Sequence, residues 1–280
     1  MDEKIIWILW MQGKKNMPDV VKLCYHSWIK HNPDYKIVFL DKNNIDEYLT
    51  IDPRIKNNPN ITIQKIANII RLNLLAKYGG VWADATCFCV KPLNTWIDHY
   101  IKSGFFAFER PGPDRMISNW FLVAKKDNIL VQNLNQVHNN YWIENPKMKI
   151  YDPENANILI RSNKVQQFLY ERPTYWLSFF ITKILKVYPY FCFHFMFQKT
   201  YESDEQFKKV WDQTPKIPVR IPHAMMLCNI NNTITKELMA EIKNQSSPVY
   251  KLTHKIDLNT DENSVFNYLK SNFPWPSLKE

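Results

Sequence analysis

The chain reads as an α/β protein whose sheet is mostly parallel and flanked by helices. Two apolar runs, KIIWILW at 4–10 and YKIVFL at 35–40, have the character of central strands. A helix-patterned stretch joins them, and that strand–helix–strand order is how a parallel sheet begins. An amphipathic run over 63–78 then enters Gly79-Gly80, and Val81-Trp82-Ala83 follows as a short buried strand. It delivers Asp84 at its carboxyl end, the edge where ligands collect in an open α/β sheet.

The elements follow in order. Met11-Gln12-Gly13 leaves the first strand as a loop, and Pro18 and Asp19 suit the first turn of a helix carrying Val20, Leu23, Cys24, Trp28 and Ile29. Asn32-Pro33-Asp34 is a turn into the second strand. A short helix over 45–49 and a polar surface loop over 52–60 precede the long helix. On that helix Ile63, Ile66, Ala67, Ile70, Leu74 and Tyr78 mark the buried face; Asn60 or Thr62 is placed to cap it, and Gly79 to end it. A second strand with Cys87 and Phe88, a turn or helix at 96–100, and a strand GFFAF at 104–108 come next. A Pro-Gly-Pro-Asp loop, a strand at 117–124 and a helix near 129–142 follow. Residues 145–161 are irregular, and a helical, aromatic insertion is expected at about 160–210 within one domain spanning 1–280. Pro215, Pro218 and Pro222 mark an extended return, then a helix at 233–243, a strand or ordered loop at 249–255, and a last helix near 262–269 before a proline-containing end.

Composition narrows the partners. Lys and Arg number 36 against 27 Asp and Glu, a formal charge of +9 that favours anionic ligands or an anionic membrane surface. The lysines are scattered, which argues against nucleic acid. The five cysteines include no second pair or histidine cluster to complete a zinc site, so they read as reduced core thiols of a cytoplasmic protein. The start, MDEKIIWILW, is acidic and lacks the pattern of a signal peptide. Tyr175–Phe197 is aromatic but interrupted by Lys183, Lys186, Pro189 and His194; it suits a membrane surface, or a packed segment, better than a span.

Several residues can carry chemistry. Asp84 can ligate Mg²⁺ or Mn²⁺, or accept hydrogen bonds from ribose or sugar hydroxyls; a turn-capping role is the plain alternative. Thr86 lies on the same side of an extended chain and can join it. Arg71, one turn from Asn68, can grip phosphate or sugar oxygens with its rigid fork, or lie on the helix surface. Trp7, Trp10 and Gln12 surround the first strand–helix junction, where a flat ring can stack on a base or pack in the core. Lys251, His254 and Lys255 form a basic group suited to a diphosphate leaving group. Glu109, Asp114 and Asn119 surround another strand end and can meet an acceptor or transferred sugar. P-loop, GxGxxG, HExxH and GxSxG patterns are all absent.

The stretch IANIIRLNLLAKYGGVWADATCFCVKPL resembles the central motif of glycosyltransferase family 32, and more closely its capsular polysaccharide synthesis branch, which commonly reads Gly-Gly, Ile or Val, Trp, any residue, then Asp-Ala-Thr. IIWILWMQG, CYHSWIKHNPDYKIVFLD, ISNWFLVAKKDN and YKLTHK extend the likeness over most of the chain. The resemblance implies a GT-A-like fold and retaining, front-face transfer from a nucleotide-sugar, by default a UDP-sugar. The acceptor it implies is a surface polysaccharide such as capsule or lipopolysaccharide, or a glycolipid. It assigns Arg71, Gly80 and Asp84 to the donor, Asp84 and Thr86 to a Mn²⁺ or Mg²⁺ ion, and Asn68 to the catalytic group. Asn68 and Thr86 stand where the wider family has acids, so both departures remove negative charge from the pocket. A non-catalytic glycan- or nucleotide-sugar-binding protein and a protein-directed sugar transferase are the competing expectations.

Overall fold

The computed structural model describes residues 4–155, 157–258 and 261–273, so the first three residues and the proline-containing end lie outside it. The first half follows the expected order. Strand β1 (Ile5–Leu9), helix α1 (Asp19–His31) and β2 (Lys36–Leu40) lead to two single turns, α2 (Ile45–Tyr48) and α3 (Pro53–Lys56). The second of these sits in the expected loop, because Asp52 caps it by accepting from Arg54 N–H and Pro53 opens its first turn. Helix α4 (Ile63–Tyr78), β3 (Gly80–Ala83), β4 (Cys87–Cys89), α5 (Ile97–Tyr100), β5 (Phe105–Gly112), β6 (Arg115–Ala124) and α6 (Ile129–Glu144) follow.

All of these strands except β4 form one sheet in the order β2-β1-β3-β6-β5, with β1 parallel to both β2 and β3, and β6 antiparallel to both β3 and β5. Four of its five strands therefore run one way and β6 runs against them, a mixed, mainly parallel sheet flanked by helices. β5 and β6 run further than the sequence suggests: residues 111–112 stay in β5, and the Pro-Gly-Pro-Asp loop shrinks to a two-residue hairpin connection. β5 is an edge strand with two irregularities in its register, which is where a sheet tolerates Pro111.

Strand alternation sorts the core into two layers. Trp7, Leu9 and Trp82 pack with α4 and α6, while Ile6, Ile8, Val81 and Ala83 pack with Val21, Tyr25 and Trp28 of α1. Helix α4 ends at Gly79, whose φ of 68° and ψ of −159° lie in a region essentially reserved for glycine. Gly80 also has positive φ, and a Cβ there would stand 2.7 Å from the Ile5 carbonyl oxygen. The glycine pair lets the chain leave the helix and enter the sheet directly beside β1.

The rest of the chain builds outward from this sheet. β7 (Lys149–Ile150), α7 (Ile158–Arg161), α8 (Asn163–Glu171), a 3-10 turn (Pro173–Leu177), a π-helical turn (Phe180–Leu185), β8 (Val187–Tyr188), α9 (Cys192–Ser203) and α10 (Glu205–Gln213) follow, and all but β7 and α7 share the α4–α6 core layer through residues such as Leu169, Trp176, Phe193 and Trp211. No helix among the described residues is long and apolar enough to cross a membrane. After α11 (Ala224–Leu227), α12 (Lys236–Lys243) begins later than its sequence pattern suggests, because Thr235 is the cap and accepts from Leu238 N–H. β9 (Val249–Lys251) is a strand of three residues that pairs antiparallel with β4, and α13 (Val265–Asn272) closes the described chain. β4, β9, α12 and α13 bury a third core layer against the far side of α1, around Phe88 and Tyr250. All five cysteines are free, four of them buried; burial pushes the Cys87 and Cys89 thiols up to about 12.

Candidate active site

Three separate stretches meet at Asp84. The first is its own turn: Asp84 N–H donates to the Trp120 carbonyl on β6, and Cys87 N–H donates back to the Asp84 carbonyl. This fixes Asp84-Ala85-Thr86 as the turn between β3 and β4. The second is α4, where Asn68 and Arg71 are both buried, so Arg71 is not a helix-surface arginine. Its Nη2 donates to Asp84 Oδ1 at 3.0 Å, its Nη1 donates to the Asn119 carbonyl, and the guanidinium lies over the Trp82 ring at 5.0 Å. The third is β9. The register sets Lys251 opposite Cys87, and Leu252 N–H donates to the Thr86 carbonyl at 2.9 Å. Lys251 Nζ reaches Asp84 Oδ2 at 3.0 Å and Thr86 Oγ1 at 2.7 Å.

Trp82 completes the shell by donating from Nε1 to Asp84 Oδ1 at 2.9 Å, and Asn119 donates to the Asn68 side-chain oxygen at 3.1 Å. Asp84 keeps 27% of its side chain exposed, whereas Arg71 and Lys251 keep 5% and 14%, so the carboxylate is the member that faces solvent. Burial alone would raise the Asp84 pKa, but Lys251, Arg71 and the Trp82 hydrogen bond outweigh it and hold the carboxyl below its usual range. Burial likewise works against the Lys251 charge, and the pull of Asp84 overcomes it and raises the ammonium pKa. The group therefore carries one negative and two positive charges at neutral pH.

This turn offers a divalent ion one carboxylate and one hydroxyl, both of them engaged by Lys251. No cluster of three or more His, Cys, Asp or Glu able to hold a metal occurs among the described residues. Both Asp84 oxygens and the Thr86 hydroxyl already serve Arg71, Trp82 and Lys251. Mg²⁺ takes six oxygens at about 2.1 Å, commonly one or two from carboxylates and the rest from phosphates and water, and here the Lys251 ammonium lies between the two side chains that the turn offers.

The other expected residues divide. Trp10 is half-buried at the end of β1, with its ring 5.0 Å from that of His254 and edge-on to it, at the same sheet edge as Asp84. Gln12 and Lys255 are exposed near this rim, and Lys255 joins burial and Lys251 in lowering the His254 pKa. Trp7 is a correction: it is buried and donates to the Gly79 carbonyl at 3.0 Å, so it is a core residue with no face for a base. Gly80 is another, since it is packed against Ile5 and holds the backbone rather than facing a ligand. Glu109 and Asp114 part from Asn119. They line a cavity of about 560 Å³ with Arg115, Trp211 and Lys216 at the β5–β6 hairpin, and Asp114 pairs with Arg115 at 3.0 Å. Two site partners escape sequence reading, the Trp82 indole on the carboxylate and the Trp120–His223 hydrogen bond behind it. Trp82 stands two residues before Asp84 on an extended strand, and that same-side spacing was the available signal.

The model of one family, described as capsular polysaccharide synthesis protein, matches residues 1–152 and 156–270. The chain belongs to that family. Among curated relatives, O-glycosyltransferase braB of Annulohypoxylon truncatum is 28% identical over 160 residues, covering 50% of this chain and 38% of that protein. Probable glycosyltransferase FCK3 of Fusarium pseudograminearum (strain CS3096) is 25% identical over 158 residues, covering 50% and 39%. The capsular polysaccharide synthesis chain thus matches well under half the length of these relatives. A solved structure, PaToxG Glycosyltransferase, aligns over 86% of this chain and 84% of that one at 14% identity and a TM-score of 0.38, too distant a match to bear on the chemistry.

Proposed function

We propose that this capsular polysaccharide synthesis protein is a sugar transferase, moving a sugar from a nucleotide-sugar to a hydroxyl of a polysaccharide or glycolipid. The observation that carries this reading is the Asp84 group at the ligand-collecting edge of the sheet, where one carboxylate able to accept from sugar hydroxyls stands between two cations able to face a diphosphate. The relatives' names as glycosyltransferases support it. In the front-face form, the acceptor oxygen bonds to the anomeric carbon as the bond from that carbon to the diphosphate oxygen breaks. The acceptor proton passes to a diphosphate oxygen, and the sugar keeps its configuration. Arg71 and Lys251 stabilise the charge that grows on the leaving group, Asp84 orients the sugar or ribose, and Trp10 and His254 offer the base a platform. Incubation with a panel of UDP- and GDP-sugars, followed by phosphorus NMR, is expected to show slow release of one nucleoside diphosphate even without acceptor. No release and no thermal shift with any donor would sink the reading.

The acceptor side has its own indication. Phe179 is 71% exposed, and Tyr175, Phe180 and Ile184 are exposed beside it in the adjoining 3-10 and π-helical turns, with exposed Arg172, Lys183 and Lys186 in the same segment. Aromatic rings with flanking lysines suit the headgroup level of an anionic membrane, where a glycolipid acceptor would lie. Co-sedimentation is expected to be stronger with anionic than with neutral vesicles, and Phe179→Ser with Phe180→Ser is expected to weaken it about tenfold. Equal binding to both vesicle types would count against a membrane role.

A further inference from the structure

Building on the donor-site reading, we propose that the Lys251 ammonium stands in for the divalent cation at the Asp-Ala-Thr turn, so that this site grips a nucleoside diphosphate without metal. The placement is built rather than incidental. Lys251 is delivered 167 residues after Asp84 by a strand pairing, its register with Cys87 is fixed by the β4–β9 ladder, and the Leu252-to-Thr86 bond pins the next residue. Its nitrogen touches one carboxylate oxygen and the Thr86 hydroxyl together, which are the two side chains the turn offers. An ammonium is satisfied by oxygens near 2.8 Å and needs no octahedral shell, and a hydroxyl serves it as well as a carboxylate does. Thr86 in place of an acid thus belongs with Lys251: a second carboxylate would suit a doubly charged ion, and a neutral hydroxyl suits a singly charged one.

Charge points the same way. Arg71 and Lys251 outnumber Asp84, so the group is net positive without any ion, as a diphosphate requires. A divalent cation would enter against both. Among the described residues Lys251 has two acceptors, Asp84 and Thr86, which leaves one of its three N–H groups for a phosphate oxygen.

Calorimetric titration of the full chain with UDP and with GDP, each in EDTA and in Mn²⁺, tests this without relying on turnover. The preferred nucleotide is expected to bind in EDTA within about twofold of its affinity in Mn²⁺, a difference of less than 0.5 kcal/mol by the usual conversion. Lys251→Met, checked for folding by circular dichroism, is expected to weaken binding about 10- to 100-fold, and Lys251→Arg to keep most of it. Binding that vanishes in EDTA and returns with Mn²⁺ overturns the inference alone and leaves the donor reading intact. A folded Lys251→Met that binds like the wild type also overturns it. Absence of binding by either nucleotide in either buffer overturns the donor reading and the inference with it. The wild-type comparison decides even if Lys251→Met does not fold.

Discussion

Asp84→Asn is expected to lower sugar transfer by about 10²- to 10³-fold while leaving nucleoside diphosphate binding equal to or tighter than wild type. The two effects separate because Asp84 plays opposite parts. For the diphosphate it is a like charge, and its removal raises the local balance from one net positive charge to two. For a sugar hydroxyl it is the strongest acceptor in the group, and an amide replaces a charge-assisted bond with an ordinary one. The variant keeps the size of the side chain, so the Trp82 and Arg71 contacts to Oδ1 keep an acceptor. Removing one member of a paired group leaves the other charges uncompensated, and with Asp84 partly exposed a loss of about 1–3 kcal/mol of stability is expected. The sign with pH follows from the lowered folded pKa. The contribution of Asp84 is complete above the unfolded carboxyl value of about 3.9 and fades as pH falls through the lower folded value. Single-turnover assays beside UDP titration read out both halves. Parallel loss of binding and transfer would remove Asp84 from its place beside the sugar and make it part of the diphosphate clamp.

The sequence carried the local half of this site and missed the long-range half. Helix α4, the glycine pair and the short strand to Asp84 follow from periodicity and turn chemistry, which act within a few residues. The alternation of β1 shows as a run of apolar residues, and nothing in such a run says which face meets a ligand. Trp7 and Trp10 are therefore indistinguishable until the sheet is built: one lies under Gly79 and the other at the open end. Glu109 and Asn119 sit ten residues apart in sequence, around one loop between two expected strands. The irregular register between β5 and β6 and the length of the hairpin send Glu109 toward Lys216 and leave Asn119 beside Asn68. Lys251 could be noticed as a cation, but its pairing with the Asp84 turn depends on β9 closing against β4 on the far side of α1. Tertiary pairing of that separation leaves no periodic trace.

The helices packed behind α4 predict an acid weakness. Among the described residues, His138 on α6 is fully buried with no hydrogen-bond partner on either ring nitrogen, and His194 on α9 is buried with Nδ1 unpartnered. Burial, with Arg71 and Lys65 nearby, lowers His138 from 6.5 to about 3; burial with Arg115, Arg71 and Lys65 does the same for His194. The folded protein keeps both rings neutral while the unfolded chain protonates them near pH 6.5, so the unfolded state binds more protons between pH 6.5 and about 3. Stability therefore falls as the solution is acidified, by about 1.4 kcal/mol per histidine per pH unit below 6.5. Most paired carboxylates lose their contribution only at lower pH, so the window from about 6 to 4.5 reports chiefly on buried histidines. Burial also lowers His223 to about 4, so urea unfolding across that window is expected to show a slope of about 3–4 kcal/mol per pH unit. His138→Leu, which places an apolar side chain of similar volume against Phe193, is expected to remove about a third of that slope and to cost about 1.5 kcal/mol or less at neutral pH. An unchanged slope in His138→Leu would mean that the ring protonates inside the folded protein at an ordinary pH. Its neighbours Lys65 and Arg71, both buried, would then have to tolerate a third positive charge in the layer directly behind the Asp84 site.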